Sequence, residues 1–223
     1  RYRLYLSIAR PDSLFITDLQ EKFQTAGIEV KNSNLGQLPE TTWFHYPSDY
    51  LGDIVHSLNV RSDNLYAESV LRLLSLSDHE KGSAEKGIDI IRKYWQNYEA
   101  DSLELFMYDG SGLARNNKVS AKYLNCVLKE TARDSLIGEY FVQTLPLAGK
   151  EGSVATIIKH GELPGELRLK SGSMSDVHAY AGYYTTPQNR YAIVVMINNY
   201  TCTRAQLKQK ISTLLTQVLS KKE

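Results

Sequence analysis

The chain is 223 residues long, 42% apolar and 23% charged, with a formal net charge of +1. That balance leaves no basic footprint for nucleic acid, and no run of lysine or arginine marks a membrane-binding face. The strongest apolar run, residues 191–197, is far too short to cross a bilayer, so small or polar partners are expected.

In chain order, residues 2–8 alternate like a strand, and Pro11 suits the first turn of a helix to about residue 26, with Leu14, Leu19 and Phe23 inward and Gly27 as its stop. Further helices are expected at about 48–59, 63–76 and 83–98, then a short strand at 103–107 and helices at 120–132 and 135–142. The pattern then turns to β-rich runs at 166–170, 177–184 and 191–198, separated by turn residues and consistent with adjacent antiparallel strands. Leu207, Ile211, Leu214, Leu215 and Val218 form the stripe of a closing helix at about 203–219. The fold class is α/β of the α+β kind: a helical part at about 48–142, and an antiparallel sheet from about 1–8 and 166–199 flanked by helices.

Cys126 and Cys202 show no metal-ligand spacing and are too few for a disulfide framework, and the five histidines include no HExxH pair. No metal or cofactor is expected, the two cysteines receive no role, and cysteine usage leaves the compartment open. The chain opens on Arg1, with neither methionine nor signal peptide, and is expected to be a processed or excised piece.

Two triplets carry the chemistry. "RSDN" at 61–64 precedes a helical run, and Ser, Asp and Asn are all favoured N-caps, so Ser62 and Asn64 could simply start a helix. "LRLKSGSMSD" at 167–176 follows on an expected strand, with Lys170, Ser171 and Gly172 in order. A lysine, a hydroxyl and a glycine there supply a cation, a donor and room for a ligand backbone to lie alongside.

The ordered pair makes up two-thirds of the signature S-x-x-K, S-D-N, K-T-G of serine acyl-transfer enzymes. Together with "YDGSGLARNNKVSA" at 108–121, "LPLAGKEGSV" at 145–154 and "AGYYT" at 181–185, it resembles the class C low-molecular-mass penicillin-binding proteins, the D-alanyl-D-alanine carboxypeptidase/endopeptidase family. The resemblance covers nearly the whole chain and implies a β-lactamase/transpeptidase-like fold. A class A β-lactamase would need a Glu-containing loop ending in Leu-Asn between the triplets, and none is present.

The resemblance implies the following roles. Ser62 relays protons between the catalytic lysine and the leaving amine, Asn64 holds the substrate's amide side, and Lys170 places a positive charge beside Ser62 and steers the terminal carboxylate. Ser171 and Ser173 bind that carboxylate, the Ser173 N–H is an oxyanion donor, and Gly172 leaves space for the substrate strand. Ser171 stands where threonine is commoner, which keeps the hydroxyl. Leu113, Arg115 and Met174 would wall the acyl-donor pocket, although Leu113 and Met174 are equally readable as core packing. Asp109 and the glycines beside it read as a turn. Ala114 stands where the family usually has a hydroxyl, so a hydrogen bond there is in doubt. His178, on an expected strand next to the site, is the one histidine to watch for a direct role.

The remaining corner is a serine nucleophile followed three residues later by a lysine base, expected well before Ser62. "SIAR" at 7–10 has the spacing but ends in arginine, which cannot act as a base. "SAEK" at 83–86 and "TIIK" at 156–159 come after Ser62, and the first reads as an N-cap on a solvated helix turn. The chain is therefore expected to be the C-terminal part of such a protein, incomplete at its N-terminal side and silent alone. Losing the nucleophile of a serine hydrolase costs about 10⁶ in kcat. An uncovered apolar face should then pair with the missing N-terminal segment or self-associate. The implied partners are peptidoglycan stem peptides ending in D-Ala-D-Ala and, for the full-length protein, β-lactams, in the periplasm or elsewhere outside the cytoplasmic membrane. A non-catalytic binding or scaffold module of the same fold is the alternative.

Overall fold

The computed structural model describes residues 10–30, 47–76, 81–98 and 104–222. The strand expected at 2–8 lies outside them. The chain divides into two units, Arg1–Pro47 and Ser48–Glu223. In the first, Pro11 opens α1 (Pro11–Thr25) and Gly27 follows it at φ +72°, the left-handed conformation that only glycine adopts cheaply.

In the second unit, α2 (Leu51–Arg61) runs into α3 (Asn64–Leu73) through two residues, Ser62 and Asp63. The expected helix boundaries shift here. Ser62 caps the end of α2 with φ 55° and ψ 50°, while Asp63 caps the start of α3 by accepting the Tyr66 N–H at 3.1 Å. α4 (Ala84–Trp95) starts behind Ser83, whose Oγ accepts the Lys86 N–H at 3.4 Å, so the "SAEK" string is a helix cap. Within the described part of the expected strand at 103–107 lies β1 (Leu105–Phe106), paired with β2 (Lys118–Val119), which is too short to show a period in the sequence. Helices α5 (Ala121–Arg133) and α6 (Gly138–Thr144) follow, and a single 3₁₀ turn spans Gly152–Val154.

The sheet is formed by β3 (Glu166–Met174), β4 (Val177–Thr185) and β5 (Arg190–Asn198), antiparallel in the order β3-β4-β5. Its two faces follow from the period of two. On one face Leu167, Leu169, Tyr180 and Tyr184 pack with Leu207, Ile211, Leu215 and Leu219 of α7 (Arg204–Leu219). On the other, Tyr183 packs with Leu128 of α5 and with Val142 and Leu145 at α6. Its hydroxyl, buried with it, donates to Leu128 O at 2.7 Å. The closing helix thus buries the straight i, i+4 line 207-211-215-219, while Leu214 and Val218, assigned inward from the pattern, are exposed. At fixed composition the rotation of a helix is set by its partner, here the tyrosine-rich face of β4.

The outer edge of β3 is occupied only at its beginning. Leu147 bridges Arg168, with Ala148 N donating to Leu167 O at 2.8 Å and Leu169 N donating to Pro146 O at 3.0 Å. After Leu169 no further backbone partner lies on that edge among the described residues.

Candidate active site

The site starts where that edge opens. Leu167 and Leu169 direct their backbone groups outward, so alternation turns the N–H and C=O of Ser171 and Ser173 outward as well. Gly172 lies between them, and a Cβ built on it would meet nothing within 4 Å. The open edge therefore presents backbone donors and acceptors with clear space beside them, the arrangement an extended peptide can join as an added strand.

Lys170 shares its face of β3 with Arg168 and reaches across to the junction of α2 and α3. Its Nζ donates to Ser62 Oγ at 2.7 Å and to Ser171 O at 2.8 Å, joining residues 108 positions apart in sequence. Burial pulls its ammonium below the usual lysine range, and no described carboxylate pairs with it. A cation held this way has capacity left for an incoming anion.

The Ser62 backbone explains how the hydroxyl reaches that cation. In the left-handed conformation the chain reverses between two helices within two residues, which costs about 1 kcal/mol for a non-glycine residue, and Ser62 is left exposed. α2 is fixed from behind: Asn59, buried, donates through Nδ2 to Thr144 Oγ1 of α6 at 3.1 Å. Asn64 is the first residue of α3 and is exposed.

The loop carrying Leu113 and Arg115 is tied to the same helix. Glu68 lies one turn beyond Asn64 on the same face of α3, and its Oε1 accepts the Gly110 and Ser111 N–H groups, both at 3.0 Å. Burial works against the Glu68 carboxylate, but the bonds from Ser111, Arg72 and Gly110 win and hold it below its usual range. Within the loop, Asp109 accepts from the N–H groups of Gly112 (2.8 Å) and Ala114 (2.6 Å) and from Asn117 Nδ2 (2.8 Å). It too is lowered, again against burial, by Asn117, Ala114 and Gly112 first. Asp109 is thus the turn former expected of it. Leu113 is 63% exposed and Arg115 is exposed, so Leu113 is not core; Met174 is half-buried at the far end of β3.

Ser62, Lys170 and Ser171 are in direct contact, Gly172 and Ser173 continue the same edge, and Asn64, Leu113 and Arg115 stand on α3 and the loop bound to it. His178 does not join them. It pairs with Ser173 in the β3-β4 register and shares its face of the sheet, but it is buried, 2% exposed, where Ser173 is exposed, and its Nε2 lies 2.9 Å from Tyr180 Oη. A residue without an assigned role does join: Ser153 Oγ of the 3₁₀ turn lies 2.6 Å from Ser171 Oγ. Its only sequence signal was membership of the "LAGKEGS" string. Among the described residues no cluster of His, Cys, Asp and Glu could hold a metal, and no helix is long and apolar enough to span a membrane.

Known proteins share this fold. Residues 1–221 match the D-Ala-D-Ala carboxypeptidase 3 (S13) family. D-alanyl-D-alanine carboxypeptidase DacB of Haemophilus influenzae is 25% identical over 223 residues, covering 96% of this chain and 46% of that protein. The crystal structure of penicillin binding protein 4 from the same organism superposes with a TM-score of 0.74 at 23% identity, over 96% of this chain and 50% of that one. The TLA-1 extended-spectrum β-lactamase shares the fold more distantly, with a TM-score of 0.55 at 16% identity over 76% of this chain and 64% of that one. The chain thus spans about half the length of the relatives it matches.

Proposed function

The chain belongs to the D-Ala-D-Ala carboxypeptidase 3 (S13) family, and on that premise we propose that it forms the substrate-binding walls of a serine-type D-Ala-D-Ala carboxypeptidase or endopeptidase site. The observation that carries the reading is the Lys170 Nζ to Ser62 Oγ contact of 2.7 Å. It sets an anion-seeking cation and a proton-carrying hydroxyl side by side at the mouth of an unpaired strand edge.

The substrate is a peptidoglycan stem peptide ending in D-Ala-D-Ala. It lies along β3 beside Gly172, its carboxylate accepting from Lys170 and the hydroxyls of Ser171 and Ser173. A serine outside these 223 residues attacks the penultimate carbonyl, and the Ser173 N–H donates to the developing oxyanion. The lysine three residues after that serine takes its proton, and Ser62 relays it to the amine of the departing D-alanine, leaving an acyl-serine that water hydrolyses. Asn64 orients the amide of the acyl portion, and Leu113, Arg115 and Met174 contact its side chain. Such a site takes β-lactams as substrate mimics, and its substrate places it outside the cytoplasmic membrane.

The test is labelling with a fluorescent penicillin. The full-length gene product should label covalently on a serine outside these residues, and the 223-residue chain should not. Labelling of the 223-residue chain itself would overturn the assignment of the nucleophile. A full-length protein that stays unlabelled and releases no D-alanine from the peptide would make the fold a binding module instead.

A further inference from the structure

Ser153 occupies a place the acyl-transfer chemistry above does not use. Its turn is held at both ends. Gly152, at φ +52°, brings its backbone so close to α2 that a Cβ would collide with Val60 O, two residues before Ser62. Val154 is fully buried in the core under the sheet, with its carbonyl accepting the Gly149 N–H at 3.1 Å. Glu151 closes the loop from below: its N–H donates to Leu147 O at 3.0 Å and its Oε2 accepts the Leu147 N–H at 2.8 Å. Between these anchors Ser153 is exposed, and its Oγ meets Ser171 Oγ at 2.6 Å.

Two hydroxyls in mutual contact share one hydrogen bond, which leaves one proton free to point elsewhere. Ser171 lies on the edge beside Lys170, whose Nζ already donates to the Ser171 carbonyl. A carboxylate arriving there only accepts, so it selects the arrangement in which Ser153 donates to Ser171 and the Ser171 proton faces the carboxylate. We infer that Ser153 is a positioning residue for the substrate's terminal carboxylate, acting through Ser171. The inference rests on the function proposed above and adds a specificity element to it: a hydroxyl that fixes the rotor of Ser171 from a turn docked on both α2 and β3. Without it the Ser171 hydroxyl rotates freely and must be ordered by the substrate, a loss on the scale of one neutral hydrogen bond, about three- to tenfold in affinity.

The experiment uses the full-length protein and two activated substrates, an N-acyl-D-alanyl thioglycolate, whose leaving group carries a carboxylate, and its methyl ester, which does not. Ser153→Ala should narrow the preference for the carboxylate-bearing substrate by about three- to tenfold, carried by its KM with kcat nearly unchanged, and Ser153→Thr should restore it. An equal loss on both substrates would reduce Ser153 to a structural residue, and an unchanged preference would also overturn the inference. Either result, obtained with a wild type that turns over both thioesters, leaves the proposed function standing. A wild type with no turnover would sink that function and this inference with it.

Discussion

In the proposed site, Lys170 puts stability and function in opposition. Its side chain is partly withdrawn from water, its pKa is pulled down by that burial, and among the described residues it pairs with a hydroxyl and a carbonyl rather than a carboxylate. Holding an ammonium there costs folding free energy, as expected of a group kept for binding. Lys170→Met should therefore abolish most activity of the full-length protein, by at least about 10²-fold in kcat/KM, while leaving the melting temperature unchanged or raised. The pH dependence follows from the same shift. Between the lowered folded pKa and the ordinary value of 10.5 the unfolded chain binds more protons than the folded one, so stability rises with pH across that window. Tyr123, Tyr180 and Tyr183, raised above 10 by burial, work the other way near pH 10, so the test is the difference in urea unfolding between wild type and Lys170→Met: the wild type should gain stability relative to the variant as pH rises toward 10.5. A variant that melts lower and keeps the slope would place the strain elsewhere.

At the scale of elements, the site depends on how α3 holds the loop that carries Leu113 and Arg115. The Glu68 carboxylate accepts two backbone N–H groups of that loop and one ion pair from Arg72 at 3.0 Å. Glu68→Ala should cost about 1–3 kcal/mol and speed hydrogen exchange at Gly110 and Ser111, while β3 stays protected; protection that persists at both amides would mean the loop is held by something else. Because the Glu68 pKa is lowered, this contribution is present above the unfolded value near 4.5 and is lost as pH falls through the folded value. The element scale is also where sequence reading stopped. The strands at 166–198 and α7 were legible because alternation and an i, i+4 stripe survive any arrangement of neighbours, and the two triplets were legible because their residue types are rare in that order. The left-handed turn at Ser62 was not: serine, aspartate and asparagine are all good N-caps, and local sequence does not say which of them starts α3 and which ends α2. The roles of Glu68 and Ser153 were hidden for a similar reason, since a glutamate in a helix and a serine after glycine have no pattern until the chain brings their partners to them.

Across the molecule, the sheet joins the site to the closing helix, and His178 sits at that joint. It lies opposite Ser173 in the register, fills the core between β4 and α7 with 2% exposure, and has one ring nitrogen against Tyr180 Oη and the other, Nδ1, without a hydrogen-bond partner among the described residues. Burial, and then the positive charges of Lys208 and Arg204 on α7, push its pKa below the ordinary 6.5. Its strand neighbours across the ladder, Ser173 and Ile197, carry no charge. The imidazole is therefore neutral in the folded chain at pH 7, and below about pH 6.5 the unfolded state takes up a proton that the folded state refuses. Stability should fall as pH drops from 6.5 toward the lowered folded pKa, by at most about 1.4 kcal/mol per pH unit from this group. His178→Gln keeps a polar partner for Tyr180 and cannot titrate, so its unfolding midpoint should fall less steeply than wild type between pH 7 and 5. Parallel pH profiles for the two proteins would show that acid sensitivity resides in other groups.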